Sequence, residues 1–107
     1  MHIRVNAIRV KPEQRDIYRK MLQEETEKVQ ALEPRNKTRN YYFLQDNNDP
    51  NTFLMFAVFA DEAAFQEHVA SAHYQHYVRQ MKEAGIERER IGSWLATNIV
   101  PTDKEWR

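Results

Sequence analysis

The stretch FAVFADEAAFQEHVASAHY, from Phe56 to Tyr74, contains the transition that decides the fold. It begins inside a short apolar run that has apolar side chains on both of its alternating faces. This pattern is typical of a strand that is covered on both sides. Asp61 then supplies an N-cap for one helix, and Ser71 supplies the N-cap for a second helix that we expect to end at Gly85. The centre of the predicted fold is therefore a buried strand followed by two polar helices.

Hydrophobic periodicity predicts the elements on either side of this stretch. They are a strand from about residue 2 to residue 10, a helix at about 12–32, strands at 41–44 and 52–59, and a last strand at 94–100. The turn-forming segment DNNDPN between the two middle strands predicts an antiparallel hairpin. An element order of strand, helix, strand, strand, helix, strand fits an α+β sandwich with its helices on one face of an antiparallel sheet.

The long first helix is predicted to pack on the sheet through one apolar stripe, with its charged residues in solvent. The residues of that expected stripe are Ile17, Met21, Leu22, Val29 and Leu32. The helix is expected to end at Glu33, because proline at position 34 disfavours a helical backbone in the residue before it.

Composition narrows the class of protein. The 107 residues are predicted to form one domain, with its core at about residues 2–100 and a tail at 101–107. Because the chain has no cysteine, it suits a reducing compartment, and we expect the cytoplasm. Its 16 basic and 16 acidic residues form no block of one sign, which argues against a nucleic-acid partner. No apolar stretch approaches the length of a membrane span or signal peptide, so no membrane partner is expected.

The strand at 52–59 carries apolar side chains on both of its faces. Phe53, Met55, Ala57 and Phe59 share one face, and Leu54, Phe56 and Val58 share the other. Two helices can cover only one face of the sheet, so the second face requires another partner. We therefore expect a homodimer whose sheets face each other and enclose a cavity.

The candidate chemical groups are few. The histidines at positions 2, 68, 73 and 76 form no HExxH motif and have no carboxylate at ligand spacing in the sequence, so no metal is expected. Glycine-rich phosphate loops and nucleophile elbows are also missing from the sequence. What remains is an aromatic pocket suited to an aromatic or small carbonyl-bearing ligand, with His68 or His73 exchanging protons. Asn6 is either a pocket residue or an edge-strand asparagine in contact with water.

Several motifs carry a resemblance to a known family. They are VKP at Val10 to Pro12, EP at Glu33-Pro34, LQD at Leu44 to Asp46, DPNTF at Asp49 to Phe53, and DEAAFQEHVASAHY at Asp61 to Tyr74. In this order and nearly this spacing, over about residues 5–80, they resemble the antibiotic biosynthesis monooxygenase family. The resemblance implies a ferredoxin-like β-α-β-β-α-β sheet and a dimeric α+β barrel, with active-site groups on the strand face opposite the helices.

The resemblance also implies an activity and a set of site residues. The family includes oxygenases of quinols and polyketide anthrones that work without metal or flavin, so the leading hypothesis is a monooxygenase of quinols or phenols that uses O₂ directly and needs no cofactor. The catalytic candidates are Asn6, His68 and His73, with His68 as the base. The expected contacts to substrate are Tyr42, Met55, Phe59, Phe65, Tyr74 and Trp94.

Departures from the family pattern keep two alternatives open. Many relatives carry a Tyr-Glu pair and then a tryptophan before the DEAAF helix, where this chain has Phe56-Ala57 and Phe59. One alternative is an isomerase or other proton-transfer enzyme on a small carbonyl compound, with or without a phosphate group. Its anion-binding rim would be Arg35, Lys37 and Arg39 in the connector after the first helix. The other alternative is a dimer that binds ligands without catalysis.

Overall fold

The computed structural model describes residues 1–99, and its elements follow the predicted order. They are β1 (His2–Val10), α1 (Arg15–Leu32), β2 (Thr38–Gln45), β3 (Thr52–Phe59), α2 (Glu62–Ala70), α3 (Ala72–Glu83) and β4 (Arg88–Ala96). A single turn of 3-10 helix, Pro12–Gln14, precedes α1. The expected tail at 101–107 and the predicted strand end at Val100 lie outside the described residues.

The four strands form one antiparallel sheet in the order β2-β3-β1-β4. β2 and β3 pair as the predicted hairpin, and β1 lies between β3 and β4. The expected α+β fold of ferredoxin-like topology is therefore confirmed.

All three helices pack on one face of the sheet through two buried clusters. One cluster joins α1 and α3 to the sheet through Ile8, Val10, Tyr18, Leu22, Phe53, Tyr77 and Met81. The other joins α1 and α2 to β2 and β3 through Val29, Tyr41, Ala57, Phe59 and Ala64. Since Ile8 pairs with Phe53 across the two central strands, even positions of β1 and odd positions of β3 face the helices.

The caps of α2 and α3 lie where the sequence predicts them. The backbone N–H of Ala64 donates to Oδ1 of Asp61 at 2.8 Å, and that of Tyr74 donates to Oγ of Ser71 at 3.3 Å. Gly85, which follows α3, has a φ of +65°, a conformation that favours glycine. These local signals make the β3–α2–α3 segment readable from sequence.

Two sequence predictions about element faces and ends are wrong. The buried stripe of α1 is Tyr18, Leu22, Glu25 and Val29, whereas Ile17 and Leu32 are exposed. The helix is rotated from the expected phase. Positions 18, 22, 25 and 29 lie on one side of the helix, and the carboxylate at position 25 hides this side from a search for apolar residues. β4 begins at Arg88 rather than near residue 94, because an edge strand with charged side chains lacks the apolar signal of a buried one.

The sheet face opposite the helices exposes large apolar side chains. They are Tyr42, Leu44, Leu54, Phe56 and Trp94. A single row crosses all four strands there, in which Tyr42 pairs with Phe56, Phe56 with Val5, and Val5 with Trp94. Among the helices at residues 1–99, none combines the length and apolar character that crossing a membrane requires.

Candidate functional site

A cavity of about 300 Å³ lies between the sheet and the helices α2 and α3 within one chain. This position differs from the expected cavity between two facing sheets, and it differs from the expected placement of site groups on the strand face opposite the helices. The reason is strand register. Asn6 pairs with Met55, which shares the helix-covered face with Ala57 and Phe59.

The structure brings six of the nine predicted site residues to this cavity. They are Asn6, Met55, Phe59, Phe65, His68 and Tyr74. Tyr42 and Trp94 instead lie on the opposite sheet face, about half exposed, because the row that contains both of them passes through Phe56. His73 does not line the cavity either, and it lies behind His68, with the two ring centroids 6.2 Å apart.

His68 is the imidazole that reaches the cavity. Its side chain is 4% exposed, and its ring lies against the rings of Phe59 and Tyr74 at centroid distances of 5.3 Å and 4.9 Å. Nδ1 of His68 lies 2.6 Å from Oε2 of Glu33, the residue that ends α1. Within residues 1–99 no hydrogen bond to Nε2 of His68 is found, so that nitrogen is available to a ligand.

Glu33 is the centre of a buried hydrogen-bond network. Its Oε2 also lies 2.5 Å from Nε2 of His73, and its Oε1 accepts a hydrogen bond of 2.5 Å from the hydroxyl of Thr38. Burial would raise the pKa of Glu33, but the hydrogen bonds from His68, Thr38 and His73 outweigh it and lower the pKa to about 2. An ionised carboxylate only accepts hydrogen bonds, so His68 donates from Nδ1 and His73 donates from Nε2.

Glu25 lies next to this network without joining it by a hydrogen bond. Its Oε1 is buried, has no hydrogen-bond partner, and lies 4.0 Å from Nε2 of His73. Burial raises the pKa of the Glu25 carboxyl, and the nearby His73 and His68 only partly oppose this effect. These surroundings favour the protonated form of Glu25 more than water does.

The same region contains the residues that could hold a metal ion. One ligand atom each from Glu25, His68 and His73 lies within 4.8 Å of the others. The sequence shows no carboxylate at ligand spacing from the histidines, but the fold brings Glu25 of α1 and Glu33 at its end to His68 and His73. Nδ1 of His68 and Nε2 of His73 donate hydrogen bonds to Glu33, so a metal ion would have to bind the other ring nitrogen of each histidine.

Asn6 is held at the centre of β1 with its amide facing the cavity. The hydroxyl of Ser93 donates to Oδ1 of Asn6 at 2.6 Å, and both residues line the cavity. With Oδ1 occupied in this way, the amide N–H₂ group of Asn6 is left to donate to an oxygen atom of a ligand.

Two buried phenols of the cavity wall, Tyr41 and Tyr77, are neutral groups. Burial raises the pKa of both Tyr41 and Tyr77 well above the ordinary value of 10.0. They therefore present apolar rings and neutral hydroxyls to a ligand.

The connector after α1 does not form a rim of this cavity. Lys37 makes an ion pair with Glu67 at 2.6 Å, and Arg35 and Arg39 line a separate cleft together with Asn40. The expected anion-binding role of these three basic residues at the cavity is therefore not supported by their positions.

Sequence reasoning missed Glu33 and Glu25 as members of the site. Glu33 is 35 residues from His68 and 40 from His73, so only the tertiary fold joins them. Glu25 could have been found, because a carboxylate at spacing 22, 25, 29 interrupts an otherwise apolar helical stripe.

Comparisons with known proteins agree with this architecture. A family model described as "Antibiotic biosynthesis monooxygenase" matches residues 1–80. The Bacillus subtilis protein named "Putative monooxygenase YcnE" is 34% identical over 76 residues, which cover 71% of this chain and 77% of that protein. A crystal structure from Bacteroides thetaiotaomicron, titled as a putative antibiotic biosynthesis monooxygenase, has a TM-score of 0.80 and 28% identity, covering 98% of this chain and 95% of that one. A similarly titled structure from Deinococcus radiodurans has a TM-score of 0.71 and 17% identity, covering 94% and 97% of the two chains, and it shows the fold alone.

Proposed function

Since the chain belongs to the antibiotic biosynthesis monooxygenase family, we propose that it oxygenates quinols or related phenols with O₂ directly, without a cofactor. Membership of the family, and the names of its relatives, support a monooxygenase-like function. The substrate class and the independence from cofactors are the further steps of this proposal.

One observation carries the proposal. His68 lies in the wall of a cavity whose lining includes six phenylalanine and tyrosine side chains, and its Nδ1 is hydrogen-bonded to an ionised Glu33. That hydrogen bond fixes the tautomer in which Nε2 has a free lone pair. A base in the wall of a partly enclosed cavity with aromatic side chains is suited to removing a proton from a phenolic hydroxyl.

In the proposed reaction, Nε2 of His68 takes the proton of a quinol hydroxyl and leaves an electron-rich anion. The anion reduces O₂, and a C–O bond forms between a ring carbon and one oxygen atom. The O–O bond then breaks, so that one oxygen stays on the ring carbon and the other leaves as water. The two hydrogens of that water come from the substrate, one of them returned by His68. The substrate supplies all four electrons, so hydroquinone and O₂ give hydroxyquinone and water.

The other cavity groups fit supporting roles. The free N–H₂ of Asn6 can donate to the oxygen that becomes an anion when His68 takes the proton. Phe59 and Phe65, whose ring planes are inclined at 66° with centroids 5.4 Å apart, give the ring of the substrate apolar contacts.

The absence of a glutamate at position 57 bears on the role of His68 as the base. Ala57, at the position where many relatives have glutamate, lies on the cavity side of β3 and contributes no charge. His68 nevertheless has a carboxylate partner, because Glu33 reaches it from the end of α1. The departure at Ala57 therefore does not leave the proposed base without an orienting group.

The test is O₂ consumption by metal-free and flavin-free protein with a panel of quinols. His68→Ala is expected to lower the rate by about 10²-fold or more, in the range of general base contributions. His76→Ala is the matched control, since His76 is on α3 but does not line the cavity. No uptake across the panel, or full activity of His68→Ala, would contradict the proposal. Turnover under strict anaerobiosis would point instead to a proton-transfer enzyme.

We also propose that the chain forms a homodimer through the sheet face opposite the helices. The support is the row of apolar side chains that crosses all four strands there, with Trp94 and Tyr42 about half exposed. Because the cavity lies on the helix-covered face, the dimer would close the sheet surface without forming the active site.

A further inference from the structure

The segment Glu87-Arg88-Glu89-Arg90 at the start of β4 separates its charges by strand alternation. Arg88 pairs with Val10 and Arg90 pairs with Ile8, both of which are buried under the helices. The two arginines therefore extend from the face of β4 that borders the cavity, and both line it.

The two glutamates of the segment are used on the other face. Glu87 makes an ion pair with Lys11 at 2.5 Å, and Glu89 makes one with Arg9 at 3.8 Å. Within residues 1–99, no carboxylate lies within ion-pair distance of Arg88 or Arg90. Arg88 and Arg90 occupy neighbouring positions on the helix-facing side of β4. In the described part of the chain neither of them has an anionic partner.

The side chains that line the cavity carry a positive charge, whereas the chain as a whole is formally neutral. The sequence balances 16 basic against 16 acidic residues. Among the described residues that line the cavity, however, are the three arginines Arg4, Arg88 and Arg90, and neither aspartate nor glutamate. Arg4 is partly used inside the protein, since its Nε donates to His2 at 2.9 Å and its guanidinium lies 3.9 Å above the ring of Phe65.

We propose that Arg88 and Arg90 bind an anionic group of the substrate, a carboxylate or a phosphate, while its ring lies toward His68. A guanidinium presents a planar set of donors that matches both oxyanions, which the neutral phenols of the cavity wall do not. The substrate class is then an aromatic compound that carries an acidic substituent, and this part of the inference rests on the proposed function.

The strand pairing places Arg90 and His68 at different levels along the sheet, with Asn6 between them. Phe59, which contacts His68, pairs with His2 at the start of β1, and Arg90 pairs with Ile8. Asn6 lies between these levels, two residues or roughly 7 Å along β1 from Ile8. An acidic group bound by Arg90 would therefore place the rest of the ligand beside Asn6, on the side of the cavity where His68 lies.

The test is anaerobic calorimetric titration of the full chain with gentisate, a hydroquinone that carries a carboxylate, and with hydroquinone itself. Gentisate is expected to bind about tenfold more tightly than hydroquinone, and Arg88→Gln and Arg90→Gln are each expected to lose about that factor for gentisate alone. Phenyl phosphate and benzoate in a second arm tell whether the site prefers phosphate or carboxylate. Arg79→Gln is the matched control, because Arg79 is an exposed cation of α3 outside the cavity.

Equal binding of gentisate and hydroquinone overturns the proposal, as does unchanged gentisate affinity in both arginine variants. Absence of measurable binding of both gentisate and phenyl phosphate also overturns it. The outcome is separate from that of the oxygenase test. Arginine-dependent binding without O₂ uptake keeps this inference and rejects the oxygenase, whereas O₂ uptake with no preference for anionic quinols does the reverse.

Discussion

The carboxylate of Glu33, at the end of α1, accepts a hydrogen bond of 2.6 Å from Nδ1 of His68 in α2. Both side chains are buried, with 9% of Glu33 and 4% of His68 exposed. This hydrogen bond joins the two helices on either side of the β2–β3 hairpin and aims the imidazole at the cavity. We therefore expect both the stability of the fold and the proposed chemistry to depend on it.

Replacing Glu33 with alanine is expected to destabilise the protein by roughly 3 kcal/mol, because buried donors on His68, His73 and Thr38 lose their acceptor. Glu33→Gln is expected to cost less, since its carbonyl oxygen still accepts from one donor. Urea unfolding of the three proteins measures both values. Equal stability of wild type and Glu33→Ala would show that the network contributes nothing to folding.

The free energy of unfolding is expected to depend on pH through Glu33. Its pKa is lowered from 4.5 to about 2 in the folded state, so its contribution is present above pH 4.5 and is lost as the pH falls through about 2. A pKa that is lower by roughly 2.5 in the folded state corresponds to a contribution of about 3 kcal/mol to the free energy of unfolding. Glu25, with a raised pKa, acts in the opposite direction, because its cost increases as the pH rises through 4.5.

Urea midpoints from pH 7 to pH 2 measure this dependence, with Glu33→Gln as the matched control. Wild type is expected to lose its advantage over Glu33→Gln between pH 4.5 and pH 2. A constant difference between the two proteins over that range would mean that the Glu33 carboxylate does not titrate with the lowered pKa.

Much of the fold could be predicted from local sequence signals. Asp61 and Ser71 cap their own helices within three residues, so short-range reasoning placed both helices. The bounds of β3 follow from an apolar run between a turn and a capping residue. Signals of this kind do not depend on the rest of the chain.

The remaining features depend on tertiary contacts or on helix phase. Glu25 looks like one of several solvated charges on α1 until the helix is rotated so that Tyr18 and Val29 face the sheet. Arg88 and Arg90 look like part of a charged hinge until β4 is known to pair with β1 and to alternate its charges across two faces. The partner of His68 could not be predicted, because 35 residues separate it from Glu33.

Trp94→Lys is expected to convert the proposed homodimer to a monomer, because it places a charge in the row of apolar side chains that also contains Phe56 and Tyr42. The measurement is light scattering coupled to size exclusion. Leu95→Lys is the matched control. Leu95 is more exposed than Trp94, yet it pairs with Arg4 and faces the other way. A wild-type mass of one chain, or dissociation by both variants alike, would contradict the proposed interface.

His73 is expected to act through Glu33 rather than on the substrate, because its Nε2 donates to that carboxylate and the residue does not line the cavity. His73→Leu removes this donor, so we expect kcat for quinol oxidation to fall about tenfold while KM stays within about twofold. His73→Gln keeps an N–H donor for Glu33 and is expected to recover most of the rate. O₂ uptake at varied quinol concentration, with urea unfolding of each variant, separates this positioning role from a loss of stability. If leucine and glutamine impair kcat equally, or if only the free energy of unfolding changes, His73 does not orient His68 through Glu33.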